Sequence, residues 1–437
     1  MTTQPARPLN VAVVGGGWAG LAAAVKATLD GHRVTVFEAS RHWGGRARTV
    51  ACNTPHGPLQ LDNGQHILIG AYTRTLALMQ QVGVNPQDAL LRLPLTLVNP
   101  AGVGLQFPNL PAPLDAAVGI LGNPQWTIAE KWALLWRATR WAVNRFECPP
   151  HTTVSDLCAG LPTALIEQFL APLCVSALNT PMQEASGQVF LTVLRDALFT
   201  GSGGSNLLIP RVPLGDLFPE PAVRWLVQQG TQCELGRRIT DLHRDEHGWH
   251  LMGRTFDALI WANNQINTLI PLFTQKLVAI DSEPHTTLQH TAIATVYAQA
   301  LNASSTWKLP LPMLALEETA QHPAQFVFDR GQLGNPPGLL AFVVSAASGS
   351  AADIERQVLQ QGQAQLGLEL APVRTIVEKR ATFACTPHAI RLKPNPANNL
   401  WLAGDEVDGP YPATLEGAVR SGWNAAGQLH AQARNTD

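Results

Sequence analysis

The stretch that most constrains this chain lies near its start. "NVAVVGGGWAGLAAAVKATLDGHRVTVFEAS" (10–40) runs from a short apolar segment through a glycine-rich turn and an Ala-rich helix to a second, β-branched segment. Gly15, Gly17 and Gly20 keep Gly-x-Gly-x-x-Gly spacing between strand and helix, the setting in which that pattern signals a dinucleotide site. Gly15 permits the tight turn, Gly17 lets the backbone approach a pyrophosphate, and Gly20 lets the helix pack close to the strand. The helix N-terminus then stabilises phosphate charge. Glu38 closes the second strand, placed for the ribose hydroxyls of an adenosine. Such a unit opens a doubly wound α/β domain. A ligand-free glycine turn is the plainer alternative, and it leaves the position of Glu38 unexplained.

Composition narrows the class. The chain has 437 residues and a formal net charge of −2, so it lacks the basic footprint of a nucleic-acid binder. Charged residues make up only 14%, while the hydrophobic share is an ordinary 46%. Scarce charge fits an enzyme with a large internal cavity, a membrane-surface protein or an oligomer. No stretch approaches ~18 apolar residues, so no transmembrane helix is expected. "MTTQPARPLN" lacks the apolar core of a secretory signal. The six cysteines are scattered without Cys-x-x-Cys, which predicts reduced thiols in a cytoplasmic protein, and Cys and His show no metal-ligand spacing.

Elsewhere the pattern is uneven. Residues 85–125 are rich in Pro and Gly. "WTIAEKWALLWRATRWAVNRF" (126–146) predicts a helix with Trp132 and Trp136 one turn apart among basic residues, which suits either packing inside the protein or a membrane interface. Residues 153–200 read as helical, broken at Pro162, Pro172 and Pro181; a helix is expected over 214–229, and strands over 232–245, 248–253 and 256–263. Further strand candidates are 291–300, 324–330 and 338–346.

Three more segments carry chemistry. In "EASRHWGGRARTV" (38–50), Gly44-Gly45 allows close backbone approach and Arg46 supplies a planar fork suited to phosphate. In "LDNGQHILIG" (61–70), Asn63-Gly64 reads as a tight turn, yet Asp62, Gln65 and His66 crowd it with hydrogen-bonding groups beside an apolar run. "NNLWLAGDEVDGPYPATLEGAVRSG" (398–422) reads as a buried strand, a loop and a helix, with Thr414 as N-cap and Gly417 allowing close packing.

Together these motifs resemble the FAD-dependent amine oxidase and phytoene desaturase superfamily. "LDNGQHILIGAY", "LIPRVPLGDLFPEPAVRWL" and "PATLEGAVRSGWNAA" resemble, more narrowly, the squalene-associated FAD-dependent desaturase family, whose members are known as hydroxysqualene dehydroxylases of bacterial hopanoid synthesis. The resemblance implies an α/β fold: a Rossmann-like FAD-binding domain with an inserted α+β substrate domain. The FAD-binding domain would comprise 1–80, 205–265 and 390–437, and the substrate domain 81–204 and 266–389. Arg46 would contact the FAD pyrophosphate, Asp405 would hold the ribityl-phosphate region, and the helix after Thr414 would point its N-terminus at the flavin pyrimidine ring. Gly64 would stand where a side chain would strike the isoalloxazine. The flavin surface implied by the resemblance takes in Gly15, Gly17, Trp18, Ala19, Gly20, Glu38, Ala39, Gly45, Arg46, Asn63, Gly64, Ile239, Gly404, Asp405, Thr414 and Leu415.

The implied reaction replaces C–OH by C–H in an apolar C30 isoprenoid. Asp62, His66 and Glu406 are the candidate proton donors. The electron donor is left open between NAD(P)H and a separate reductase. Segment 126–146 offers a peripheral membrane contact, which would put the protein at the inner face of the cell membrane. The rivals are a carotenoid-type desaturase, an amine oxidase, a non-enzymatic prenyl-lipid-binding protein and an NAD(P)-only dehydrogenase. The last leaves the C-terminal motifs without a role.

Overall fold

The computed structural model describes residues 7–54, 57–199, 201–263, 288–301 and 303–435. Asn10–Val14 lies in the middle of a five-stranded parallel sheet, ordered Gln232–Glu234, Arg33–Phe37, Asn10–Val14, Ala258–Trp261, Leu400–Leu402. A strand covered on both faces needs no polar alternation, which is why it reads as an unbroken apolar run. Val11 and Val13 pack on the side of helix Trp18–Leu29 and the C-terminal helix Leu415–Asn435. Ala12 and Val14 pack on the other side, against Trp249, Leu251 and Phe256 of a small antiparallel sheet (Leu242–Asp245, Gly248–Leu251, Arg254–Phe256).

Helix Trp18–Leu29 is buried over most of its surface, and Ala19, Ala22, Ala23, Ala24 and Ala27 give it the slender girth and helix propensity this requires. It stops in a Schellman motif: Gly31 N donates to Thr28 O (3.1 Å) and His32 N to Ala27 O (3.0 Å). Gly20 lies at a point of close approach, since a Cβ there would sit 1.9 Å from Gly15 O.

A second five-stranded sheet is antiparallel, ordered Met313–Ala315, Phe326–Asp329, Leu339–Val344, His290–Ala300, Leu370–Phe383. Side chains alternate across it. Val296, Val327 and Phe342 face helix Ala351–Leu366, while Tyr297, Phe326 and Phe328 face a core shared with the helices of residues 114–198. The parallel-sheet strands all come from 1–80, 205–265 and 390–437. A three-stranded sheet of Leu68–Ile69, Leu207–Pro210 and Leu90–Leu93 crosses the boundaries near 80 and 204.

Several expectations need correcting. The run 232–245 is not one strand: Gln232–Glu234 joins the parallel sheet and Leu242–Asp245 starts the antiparallel one. The run 256–263 divides at Asp257, whose carboxylate accepts from Asn10 N at 2.7 Å, with Arg254–Phe256 in one sheet and Ala258–Trp261 in the other. The helix over 214–229 is broken at Phe218 into Leu214–Leu217 and Pro219–Gln228. Pro172 breaks nothing. A π-turn over Ile166–Leu170 leads directly into helix Ala171–Leu178, so the helical path runs on through Pro172. The fourteen-residue strand Leu370–Phe383 escaped sequence reading because its charges (Arg374, Glu378, Lys379, Arg380) mask the alternation.

Candidate active site

The first glycine loop is held from two sides. Gly15 N donates to Phe37 O (2.8 Å), and Gly16 N to Glu38 Oε2 (2.6 Å). The other Glu38 oxygen accepts from Ser40 N (2.7 Å), so this carboxylate ties the loop to the end of the second strand. The Gly44-Gly45 turn lies alongside, with Gly44 N donating to Gly16 O (2.9 Å).

Arg46 leaves that turn and reaches Asp405, its guanidinium donating also to the carbonyls of Arg380 (3.1 Å) and Ala381 (3.0 Å). Burial opposes its charge, but Asp405, Glu406 and Glu378 outweigh burial and raise its pKa. Thr414 caps the C-terminal helix, its hydroxyl accepting from Gly417 N at 3.1 Å. Gly417 also lies close to Pro412 O, which a Cβ would meet at 2.9 Å. Glu416, buried just inside the cap, accepts from Arg74 N (3.0 Å), Thr75 N (2.8 Å) and Arg420 Nε (2.6 Å), which locks the helix start in place.

The segment Asp62–His66 follows strand Gly57–Asp62 and is not the tip of a hairpin; that strand's partner, Thr49–Thr54, precedes it. Asn63 Nδ2 bonds Arg46 O (3.0 Å) and Glu378 (3.3 Å). Gln65 takes a bond from the buried Arg330 (3.1 Å), and its own amide donates to His66 O (3.2 Å).

These elements enclose one cavity of about 610 Å³. It is lined by the glycine loop with Trp18 and Ala19, by Glu38, Ala39 and Ile239, by Gly45, Arg46, Asn63 and Gly64, and by Gly404, Asp405, Thr414 and Leu415. Gly20 alone of the resemblance's flavin set stands behind the wall, packed on Gly15. Apolar side chains also line the cavity (Ile67, Ala177, Ile293, Phe326, Phe328 and Val343), interleaved with Ser176, Asn179, Ser345 and Thr382. Sequence reasoning missed the contribution of the second sheet, namely Glu378, Ala381, Thr382, Ser345 and the two phenylalanines, and also missed Tyr72. The Phe-x-Phe alternation at 326–328 was the available signal.

The three candidate proton donors separate. Asp62 is 1% exposed and lies outside the cavity lining. Its Oδ1 accepts from Leu214 N (2.8 Å), and Arg330 stands 3.7 Å from Oδ2. Burial pushes its carboxyl up to about 6, against the pull of Arg330. It therefore joins "LDNGQH" to "PRVPLGDL" rather than facing a ligand. Glu406 lines the cavity but is engaged by His290 Nε2 (3.0 Å) and Arg380 (3.6 Å). His66 lines the cavity, and its Nδ1 bonds Gly64 O at 2.7 Å. A carbonyl only accepts, so Nδ1 carries the proton and Nε2 presents a lone pair; burial lowers the pKa, assisted by the Arg46 charge and opposed by the Gly64 bond.

Two glycines of the lining leave room that fits a dinucleotide lying against them. A Cβ on Gly17 would meet nothing nearer than Gly45 Cα at 3.8 Å, and one on Gly64 nothing nearer than His66 and Thr295 atoms at 3.7 Å. Neither has a positive φ. The protein itself would tolerate alanine at both places; a ligand lying against them would not. The described residues contain no cluster of three or more metal-ligating side chains, and none of their helices is long and apolar enough to cross a membrane.

Residues 13–82 match a family model for an NAD(P)-binding Rossmann-like domain. The chain is 28% identical to the hydroxysqualene dehydroxylase of Rhodopseudomonas palustris over 97% of its own length and 99% of that protein's. It is 26% identical to the hydroxysqualene dehydroxylase of Zymomonas mobilis, over 95% and 97%. The chain is similar to hydroxysqualene dehydroxylases along nearly all of its length and theirs. Its fold is also that of the cyclohexylamine oxidase of Brevibacterium oxydans, with a TM-score of 0.64 at 16% identity over 98% of this chain and 99% of that one. The dehydroxylase relatives match along nearly the whole chain, the glycine loop and the second sheet included.

Proposed function

We propose that this protein is an FAD-dependent oxidoreductase that reductively removes the hydroxyl of hydroxysqualene to give squalene. One observation carries the reading beyond the relatives' names: the glycine loop, Arg46 and Asp405 line the same cavity as the apolar side chains Phe326, Phe328, Ile293 and Val343. A reductive dehydroxylation of a C30 chain needs that combination, because the redox group and an almost wholly apolar substrate must meet away from water.

When bound, the reduced flavin supplies the hydride. The rest falls to the chain. The glycine loop, Arg46 and the Thr414-capped helix would hold the phosphates and the ring, and the helix N-terminus would favour negative charge beside it. His66 Nε2 is the protic atom offered to the substrate hydroxyl. Neutral, it accepts from the hydroxyl and orients it. Protonated, it donates, so that the C–O bond breaks with water as the leaving group. The apolar walls keep bulk water from the electron-poor carbon.

The test is an anaerobic single turnover. The purified protein is reduced with dithionite and mixed with hydroxysqualene, and squalene is sought by mass spectrometry. Squalene formed in step with flavin reoxidation is the expected result. A flavoprotein that cycles but yields no squalene, alongside an active relative as control, overturns the substrate and directs testing to desaturation by the oxidised form.

A further inference from the structure

The segment 114–143 forms two adjoining helices, Leu114–Gly122 and Ile128–Val143, whose inner and outer faces are both apolar. Inwardly, Ile120, Trp126, Leu134 and Trp141 join the core that contains Phe326 and Phe328 of the cavity wall. Outwardly, Leu114, Val118 and Leu121 are exposed on the first helix. On the second, Ile128, Trp132 (62% exposed), Trp136 (66% exposed) and Val143 form one stripe. Their spacing of three, four or seven residues puts each set on a single helix face.

Apolar surface concentrated in this way marks an interaction site. Charge indicates the partner. Residues 110–146 contain four basic and two acidic side chains, in a chain that is net negative. With both acids counted the segment is still net positive, and neither acid pairs with a base: buried Asp115 accepts from Ser205 Oγ (2.9 Å), and Glu130 closes the Thr127 capping box. Lys131, Arg140 and Arg145 carry no ion pair among the described residues. Exposed tryptophans and leucines beside an excess of basic groups that carry no ion pair suit the surface of a bilayer containing anionic lipid. The longer helix, at about 24 Å, is too short to span a bilayer and can lie in its surface.

We propose that this two-helix face docks on anionic lipid bilayers, so that the apolar substrate passes from the bilayer to the cavity behind Phe326 and Phe328. The proposal rests on the isoprenoid reading of the cavity. Sedimentation with vesicles tests docking alone, and turnover in detergent micelles tests that reading alone, so the two fail separately.

The flavin-loaded full chain is spun with vesicles of phosphatidylcholine, with and without phosphatidylglycerol. The wild type should bind both and prefer the mixture. Trp132→Ser/Trp136→Ser should weaken binding about 30-fold or more, and Leu114→Ser/Val118→Ser about 10-fold, with flavin content and micellar turnover kept. Arg140→Gln/Arg145→Gln should remove only the preference for the anionic mixture. Wild-type protein left in the supernatant, or a double Trp variant that binds like the wild type, overturns the proposal. So does a wild-type dimer that the Trp substitutions dissociate without loss of vesicle binding, which would assign the face to a second copy of the chain.

Discussion

Arg46 and Asp405 meet in an ion pair across 359 residues of sequence, joining the Gly-Gly-Arg turn to the loop after the last parallel strand. Two motifs that resemble phosphate-handling elements are thereby brought to one wall of one cavity. Asp405 holds the Arg46 fork, and the carbonyls of Arg380 and Ala381 fix its plane.

Arg46→Ala should lower flavin affinity about 100-fold, since a charge-assisted forked contact is lost. Arg46→Lys should fall between the two, because an ammonium cannot present a fork. Titration of the stripped protein with FAD, followed by flavin fluorescence, measures both. An Arg46→Ala variant that binds FAD like the wild type would remove Arg46 from the cofactor site.

Gly64→Ala and Gly20→Ala should part company. The protein leaves ordinary space at Gly64, so alanine there should change Tm little while weakening flavin binding about 10-fold or more. At Gly20 a Cβ would strike Gly15 O, and alanine should cost about 3 kcal/mol of stability or more. Thermal melts of both variants without flavin, set beside their flavin affinities, decide it. Equal melting losses would mean that Gly64 serves the fold.

His66→Phe should keep its flavin and lose about 100-fold or more in single-turnover rate. Asp62→Asn and Glu406→Gln should stay within about 10-fold, because one side chain lies outside the cavity and the other is engaged by His290 and Arg380. The His66 pKa is lowered from 6.5, so the imidazolium is scarce at neutral pH; the rate should rise as pH falls below that value, and His66→Phe should flatten the rise. A flat wild-type profile would point to another donor.

Acid should loosen the first helix from the last. His32 is buried, its Nδ1 accepting from Leu9 N (3.2 Å) and its Nε2 meeting His430 (3.2 Å). Burial lowers its pKa from 6.5, and the His430 charge adds to the effect. The folded chain thus resists a proton that the unfolded chain accepts. The stabilisation is present in full above pH 6.5 and is lost as pH falls below it. His32→Asn keeps an acceptor for Leu9 N and should shrink the fall in Tm on acidification; an unchanged fall would place the sensitivity elsewhere.

How much could be read in advance depended on how local each feature was. The turn at Gly15, the Ala-rich helix and its Gly31 stop, and the Thr414 cap each arise from contacts within a few residues, so spacing and residue type determined them. The position of Glu38 was legible for the same reason, since strand and helix lengths carry it back to the glycine loop. The fate of Asp62, His66 and Glu406 was not local. All three are polar groups near motif residues, and only long-range packing separated them: Arg330 and Leu214 hold Asp62 outside the cavity lining, His290 and Arg380 engage Glu406, and His66 lines the cavity with its Nδ1 on Gly64 O. Trp132 and Trp136 likewise fit either an interior or a surface by pattern; tertiary structure turned them outward and Trp126 and Trp141 inward. Sequence by itself determined the dinucleotide frame, because backbone geometry and glycine placement are short-range. Which side chains face the substrate was decided by tertiary structure, because a cavity between two sheets is defined by residues hundreds of positions apart.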